Sequence, residues 1–285
     1  MASRWLAGVA AAGVAVAALP ALATDYFVRK TGSNYNNGRT PATAWLTIDK
    51  AANTMRAGDT VYVGAGTYAE EVSPNNDGQA LLHVRYVADT TGAFTGDAGT
   101  VTIDAPNGKQ AIKVGGDNYA EFVGFRLIGG NNKSTVRWSN CVGGILRDCI
   151  VVNSPRDGVE VNSGSLTIER CEISDADEDG VYIAGSTSVV SVIDSTIRDA
   201  GDDGVNVYSS ASVTVSGCII EDCADDGIGF EGECRQARLP GGEPDQIAKH
   251  RARRAHLIAL RMQIDPLRPR WLQLRDQGAG VKDVA

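Results

Sequence analysis

The chain predicts an all-β coil, and two recurrences carry that expectation. Four Asp-Gly pairs end at Gly158, Gly180, Gly204 and Gly227, 22, 24 and 23 residues apart. Each is followed by two apolar residues in alternation: Val159 and Val161, Val181 and Ile183, Val205 and Val207, Ile228 and Phe230. A second register, Cys149, Cys171, Ser195 and Cys218, recurs at the same intervals. It has an apolar residue two positions on (Val151, Ile173, Ile197, Ile220) and another three before (Leu146, Ile168, Val192, Val215). A period of two marks strand. So constant a phase fits turns stacked on one another rather than hairpins, and the expected fold class is a right-handed parallel β-helix, a single-stranded solenoid.

The elements follow in chain order. Residues 1–23 read as a signal peptide: Arg4, an apolar run from Leu6 to Leu19, then "ALPALA" and a cut after Ala23. An uncleaved anchor is the alternative. No later run approaches the roughly 20 apolar residues of a bilayer helix, so no membrane span is expected in the mature chain. The expected location is secreted or extracellular, the periplasm included. Residues 24–233 form the expected β-helix domain. Its early part, "GDTVYVGAGTY", "ALLHVRYVA", "GTVTIDA", "QAIKVGG" and "AEFVGFRLIGG", is strand-like with glycine corners. "TIDKAANTMRAG" reads as a short amphipathic helix ending at Gly58, which covers the open end of the first coil. Residues 234–285 lose every repeat signal. A helix at about Asp245 to Gln263 capping the last turn, a non-native end and a basic membrane-surface helix are the readings open for this tail.

Charge separates the two parts. The net charge of −8 divides between a basic tail, with 11 Lys+Arg and 5 Asp+Glu in residues 234–285, and a body with 16 basic and 30 acidic residues. An acidic body excludes nucleic acid as the expected partner, since phosphate binding needs clustered Lys and Arg. It favours divalent cations and ligands reached through them. A monomer is expected.

Six cysteines in an exported chain suggest disulfides. Cys149, Cys171 and Cys218 share their column with Ser195, however, which reads as small residues stacked inside the coil as free thiols. Cys149 and Cys171 have a permissible Cα separation for a bond, although stacked side chains strain its torsion. Cys218 with Cys223 is a second local candidate, and Cys141 and Cys234 stay open. No Cys/His spacing resembles a zinc site.

The segment "DYFVRKTGSNYNNGRTPATAWLTIDKAANTMRAGDTVYVGAGTYAEEV" resembles the opening of secreted pectate-lyase-like β-helix proteins. It has an Asn-Gly loop, a short helix, a Gly-Asp-Thr-φ-Tyr-Val strand and a Gly-Thr-Tyr turn. With the repeats, the resemblance spans roughly residues 25–232. It implies the fold, whereas lyases, hydrolases, epimerases and inert adhesins all occur on it.

In a stacked coil, equivalent residues lie about 4.7–4.9 Å apart. Asp157, Asp179, Asp203 and Asp226 then form one column, with Asp202 and Asp225 beside it. Like charges at about 5 Å repel by about 3 kcal/mol at an effective dielectric near 20. Exposure to water, pairing with Arg156 or Arg198, raised pKa values or a hard cation can relieve the column. Asp-Gly is also a favoured turn pair, the Gly accepting positive φ. "DDGVNV", residues 202–207, is similar to the Asp-Asp-Gly-φ-Asp-φ motif of family-nine pectate lyases. The resemblance implies calcium on Asp179, Asp202, Asp203 and Asn206, on the outside of the coil, with Asn206 replacing the family's aspartate and weakening the site. In that family calcium bridges the substrate uronate carboxylate, and a lysine from a later turn removes the adjacent proton. Here Lys249 lies in the tail, and Arg198 is the one candidate base, although holding the aspartates together is its more ordinary use.

The expected function is therefore an exported carbohydrate-active protein that binds acidic polysaccharide. A calcium-dependent polysaccharide lyase is its enzymatic form, with a glycoside hydrolase as a lesser option. The alternative is a non-catalytic structural or adhesive coil.

Overall fold

The structure, a computed structural model, describes residues 23–208, 211–231, 237–238 and 262–264. All but Ala23 of the expected signal peptide lies outside the described residues. So does most of the tail.

The chain winds as a right-handed parallel β-helix with three sheets along its length. The first sheet runs from Asp25–Val28 through Thr60–Val63, Val84–Ala88, Ala120–Val123, Gly144–Arg147, Ser165–Glu169 and Val189–Ile193 to Ser212–Ser216, every pair parallel. The second begins at Gly66–Tyr68 and ends at Ile219–Glu221; the third begins at Ile112–Gly115 and ends at Ile228–Glu231. The repeat phase read from the sequence is the pairing register: Val159 opposes Val181, Val181 opposes Val205, and Val205 opposes Ile228. Alternation sends one residue in two inward. Leu146, Ile168, Val192 and Val215 fill the interior from the first sheet, Val151, Ile173 and Ile197 from the second, and Val161, Ile183 and Val207 from the third.

The short helix is Ile48–Ala52, not a helix reaching Gly58. Thr47 accepts the Lys50 amide, and Glu70 accepts the amides of Ile48 and Asp49. Ile48, Ala51 and Ala52 join the cluster that contains Tyr26, Val28, Val61 and Val63. Asn53 and Thr54 already turn the chain away, and both are poor helix interior residues. Met262–Ile264 pairs antiparallel with Ser212–Ser216. The helix expected to Gln263 therefore does not extend that far, and the rest of that segment lies outside the described residues. No helix among the described residues is long and apolar enough to cross a membrane.

The glycines of the Asp-Gly pairs have a different reason from the one the turn chemistry suggests. Left-handed φ falls elsewhere, on Asn153, Asp175, Asp199 and Asp222 (φ 54, 55, 54 and 53°) and on Asp148, Arg170 and Asp194 (53, 51 and 48°). These are the Asn and Asp corners that tolerate this conformation at least cost, with one arginine among them. Gly158, Gly180 and Gly204 are needed for close approach instead. A Cβ on each would lie 2.6 Å from the carbonyl oxygen of the equivalent glycine on the next coil.

Candidate metal-binding corner

The corner between the second and third sheets carries the acidic residues. Each coil arrives from a second-sheet strand (Ile150–Ser154, Glu172–Ala176, Thr196–Ala200) and leaves into a third-sheet strand (Val159–Asn162, Val181–Ala184, Val205–Tyr208). Most backbone N–H groups between them donate to carbonyls of a neighbouring coil, but those of Asp179, Asp203 and Asp226 take side-chain acceptors. Carboxylates supply them. Asp157 Oδ1 accepts the Asp179 amide at 3.4 Å, Asp179 Oδ1 the Asp203 amide at 3.0 Å, and Asp203 Oδ1 the Asp226 amide at 2.8 Å. One aspartate per coil thus ties itself to the next.

This inner column is buried, contrary to the outward position expected for it: Asp179 is 5% exposed, Asp203 6% and Asn206 3%. Asp203 leans over the next coil so closely that a Cβ on Gly229 would meet its Oδ2 at 1.7 Å. Gly229 stands where Asn206 stands one coil earlier. Its missing side chain makes the room that Asp203 occupies.

A second row runs beside the first. Glu178 N donates to Arg156 O at 3.3 Å, Asp202 N to Glu178 O at 3.1 Å and Asp225 N to Asp202 O at 3.1 Å. Arg156 and Glu178 pair through Arg156 Nη2 and Glu178 Oε2 at 2.8 Å. The next two positions, Asp202 and Asp225, are both acidic and both exposed. Carboxylate oxygens of Asp202, Asp203 and Asp225 lie within 4.8 Å of one another. Two oxygens sharing one calcium at 2.3–2.6 Å are separated by at most about 5 Å, and calcium takes hard oxygen donors, so the donor set fits that ion.

The structure thus brings Asp202 and Asp203 together as the sequence suggested and adds Asp225 from the following coil. Asp179 gives one oxygen to the Asp203 amide and lies near enough for the charges of Asp157, Asp203 and Asp202 to act on it, yet outside the three-carboxylate group. Asn206 sits on Val205–Tyr208, three residues beyond Asp203. The doubled "DD" at 225–226 was the signal for Asp225. By the resemblance that coil is the poorer one, because Gly229 stands where the motif has its further ligand.

Arg198 does not hold the aspartates. Its guanidinium binds Glu172 Oε1 and Asp199 Oδ2, each at 2.7 Å, on the outer face of the second sheet. Glu172 lies on the neighbouring strand of the same sheet and Asp199 is next in sequence, so both are closer to hand than the corner. Its strong ion pairs also keep its pKa raised, which unfits it as a base.

Burial, and then the neighbouring carboxylates, push the Asp179 pKa up to about 7 and that of Asp203 to about 6, despite the backbone amides each accepts. Both values lie above the unfolded range near 3.9. Folding therefore takes up protons, so the stability these groups contribute is fully present below about pH 4 and is lost as pH rises through 6 and 7. Asp89 and Asp97 are shifted downward, and their opposite contribution is complete by about pH 5. In chelator, the melting temperature is expected to fall between about pH 5 and 8, and Asp179→Asn to flatten that fall. A Tm that rises across this window in the wild type would contradict the assignment.

The family described as right handed beta helix region matches residues 107–239. No curated protein matches the chain. Among solved structures, XylC in complex with xylose is 13% identical with a TM-score of 0.62, over 73% of this chain and 59% of that one. The chain thus spans about three fifths of the XylC chain. Pectate lyase Pel9A is 13% identical with a TM-score of 0.48, over 73% of this chain and 68% of its own. A rhamnogalacturonan lyase is 14% identical with a TM-score of 0.41, over 65% and 70%. The XylC likeness shows the fold.

Proposed function

Starting from a chain that is a right-handed parallel β-helix, we propose that it is a carbohydrate-active protein that binds acidic polysaccharide through calcium held by Asp202, Asp203 and Asp225, with Asp179 and Asn206 behind them. The observation that carries this reading is the trio of carboxylates drawn from two adjacent coils within 4.8 Å. The amide ladder gives Asp157, Asp179 and Asp203 a structural use, but it does not need Asp202 or Asp225. Their apposition costs repulsion that a hard cation relieves. A solved β-helix neighbour whose structure contains xylose is in keeping with a sugar ligand.

When bound, calcium supplies the positive charge that an anionic sugar carboxylate can reach. The chain's own residues do the rest. Asp203, fixed by the Asp226 amide, orients one oxygen, and the exposed Asp202 and Asp225 leave the cation open on its outer side. Arg198 is engaged elsewhere, so binding is the preferred activity and β-elimination the enzymatic form of the same proposal. The competing reading, a purely structural coil, is favoured by the amide ladder. Export belongs to the proposal as well, resting on the leader-like first residues.

The test is retention of the chain on immobilised polygalacturonate in calcium and in chelator, with absorbance of unsaturated sugar ends followed in the same samples. Calcium-dependent retention without new absorbance is the expected result. New absorbance would add catalysis, and equal elution in calcium and chelator would overturn the proposal.

A further inference from the structure

The interior column of small residues contains two neighbouring thiols. Ile150 and Glu172 pair in register, so Cys149 and Cys171, which precede them, occupy equivalent positions on adjacent coils. Glu172 N donates to Cys149 O at 2.9 Å. Both cysteines are at most 3% exposed, and both thiols turn the same way: Cys149 Sγ is 3.2 Å from Arg147 O, and Cys171 Sγ is 3.5 Å from Glu169 O. Each thiol also reaches a carbonyl of the preceding coil, Cys149 Sγ that of Phe122 at 3.7 Å and Cys171 Sγ that of Leu146 at 3.4 Å. Ser195 then interrupts the column, leaving Cys218 two coils from Cys171, beyond the span of a bond.

We propose that Cys149 and Cys171 are a covalent cross-linking site, joined as a disulfide across one rung when the chain folds in the presence of a small-molecule disulfide. Stacked Cβ atoms stand near the rung spacing of about 4.8 Å, whereas a disulfide holds them at about 3.8 Å. The coils therefore draw together by about 1 Å at this rung, and the strained bond is readily reduced by a free thiol. Before the coils close, Cys171 loses its proton to solvent and becomes a thiolate. That thiolate attacks one sulfur of the small disulfide and expels the other as a thiolate. Cys149 then attacks the Cys171 sulfur, expels the second small thiol and gives up its proton. Two protein thiols and one disulfide become one protein disulfide and two small thiols. Because neither sulfur is open to solvent in the wound coil, the exchange precedes closure of these coils.

The full chain is to be reduced, unfolded and refolded with oxidised glutathione, alkylated with iodoacetamide and digested. Its cysteine peptides are then mapped by mass spectrometry. A peptide pair joined through Cys149 and Cys171 is expected, absent in Cys149→Ser and Cys171→Ser; Ser195 already fills this column, so both variants fold with the wild-type circular dichroism. A chain that does not refold is mapped after secretion into a bacterial periplasm, with the same outcomes. Recovery of both residues as alkylated thiols from folded protein, or joined to other cysteines, overturns the proposal.

Discussion

Gly180→Ala is expected to destabilise the coil by about 3 kcal/mol, the upper part of the range for overpacking. The new Cβ would stand 2.6 Å from the Gly204 carbonyl oxygen and 2.5 Å from Ile197 Cγ2. The first is backbone, fixed by the bond that Val181 N donates to it at 2.9 Å, so the coils must separate locally. For a body of this size, about 3 kcal/mol lowers Tm by about 6–12 °C. Gly227→Ala is the internal control. It changes the same motif position in the last Asp-Gly pair, yet among the described residues its Cβ meets nothing nearer than Ile220 Cγ2 at 3.7 Å. A change within about 0.5 kcal/mol is expected there. Equal losses in thermal melts of the two variants would mean that the glycine serves backbone conformation rather than stacking.

That contrast also shows what the sequence reveals and what it withholds. Phase was legible because each coil must place its inward residues over those of the last, so Val159, Val181, Val205 and Ile228 repeat with the pairing itself. The carboxylate columns were legible for the same reason. The direction in which a corner side chain leans was not, because it is decided by a coil 22–24 residues away. Asp203 reads as an outward acid until Gly229 is seen to leave space above it. Arg198 reads as a partner for the aspartates until Glu172, on the strand beneath, is found closer to hand. Asp-Gly likewise reads as turn chemistry, while the left-handed corners fall on Asn153, Asp175, Asp199 and Asp222, where no glycine marks them.

The proposed cation site carries the second large effect. A ligand bound only by the folded chain stabilises by RT ln(1+[L]/Kd), about 2.7 kcal/mol at a hundredfold excess over Kd. For this body that raises Tm by about 5–10 °C. The effect should strengthen from about pH 5 to 8, as Asp203 and Asp179 give up the protons that compete with a cation. Asp202 and Asp225 are the informative positions to change, since both side chains are exposed and neither supports the amide ladder. Asn at either keeps the shape and removes one charge.

The most direct measurement is the melting temperature of the full chain at about pH 8 in millimolar calcium and in chelator, for the wild type, Asp202→Asn and Asp225→Asn. A rise of about 5–10 °C with calcium is expected in the wild type, shrinking or disappearing in both variants, whose melting in chelator stays near that of the wild type. Identical wild-type melting in calcium and chelator would contradict it and leave the aspartates as the structural seam of the coil.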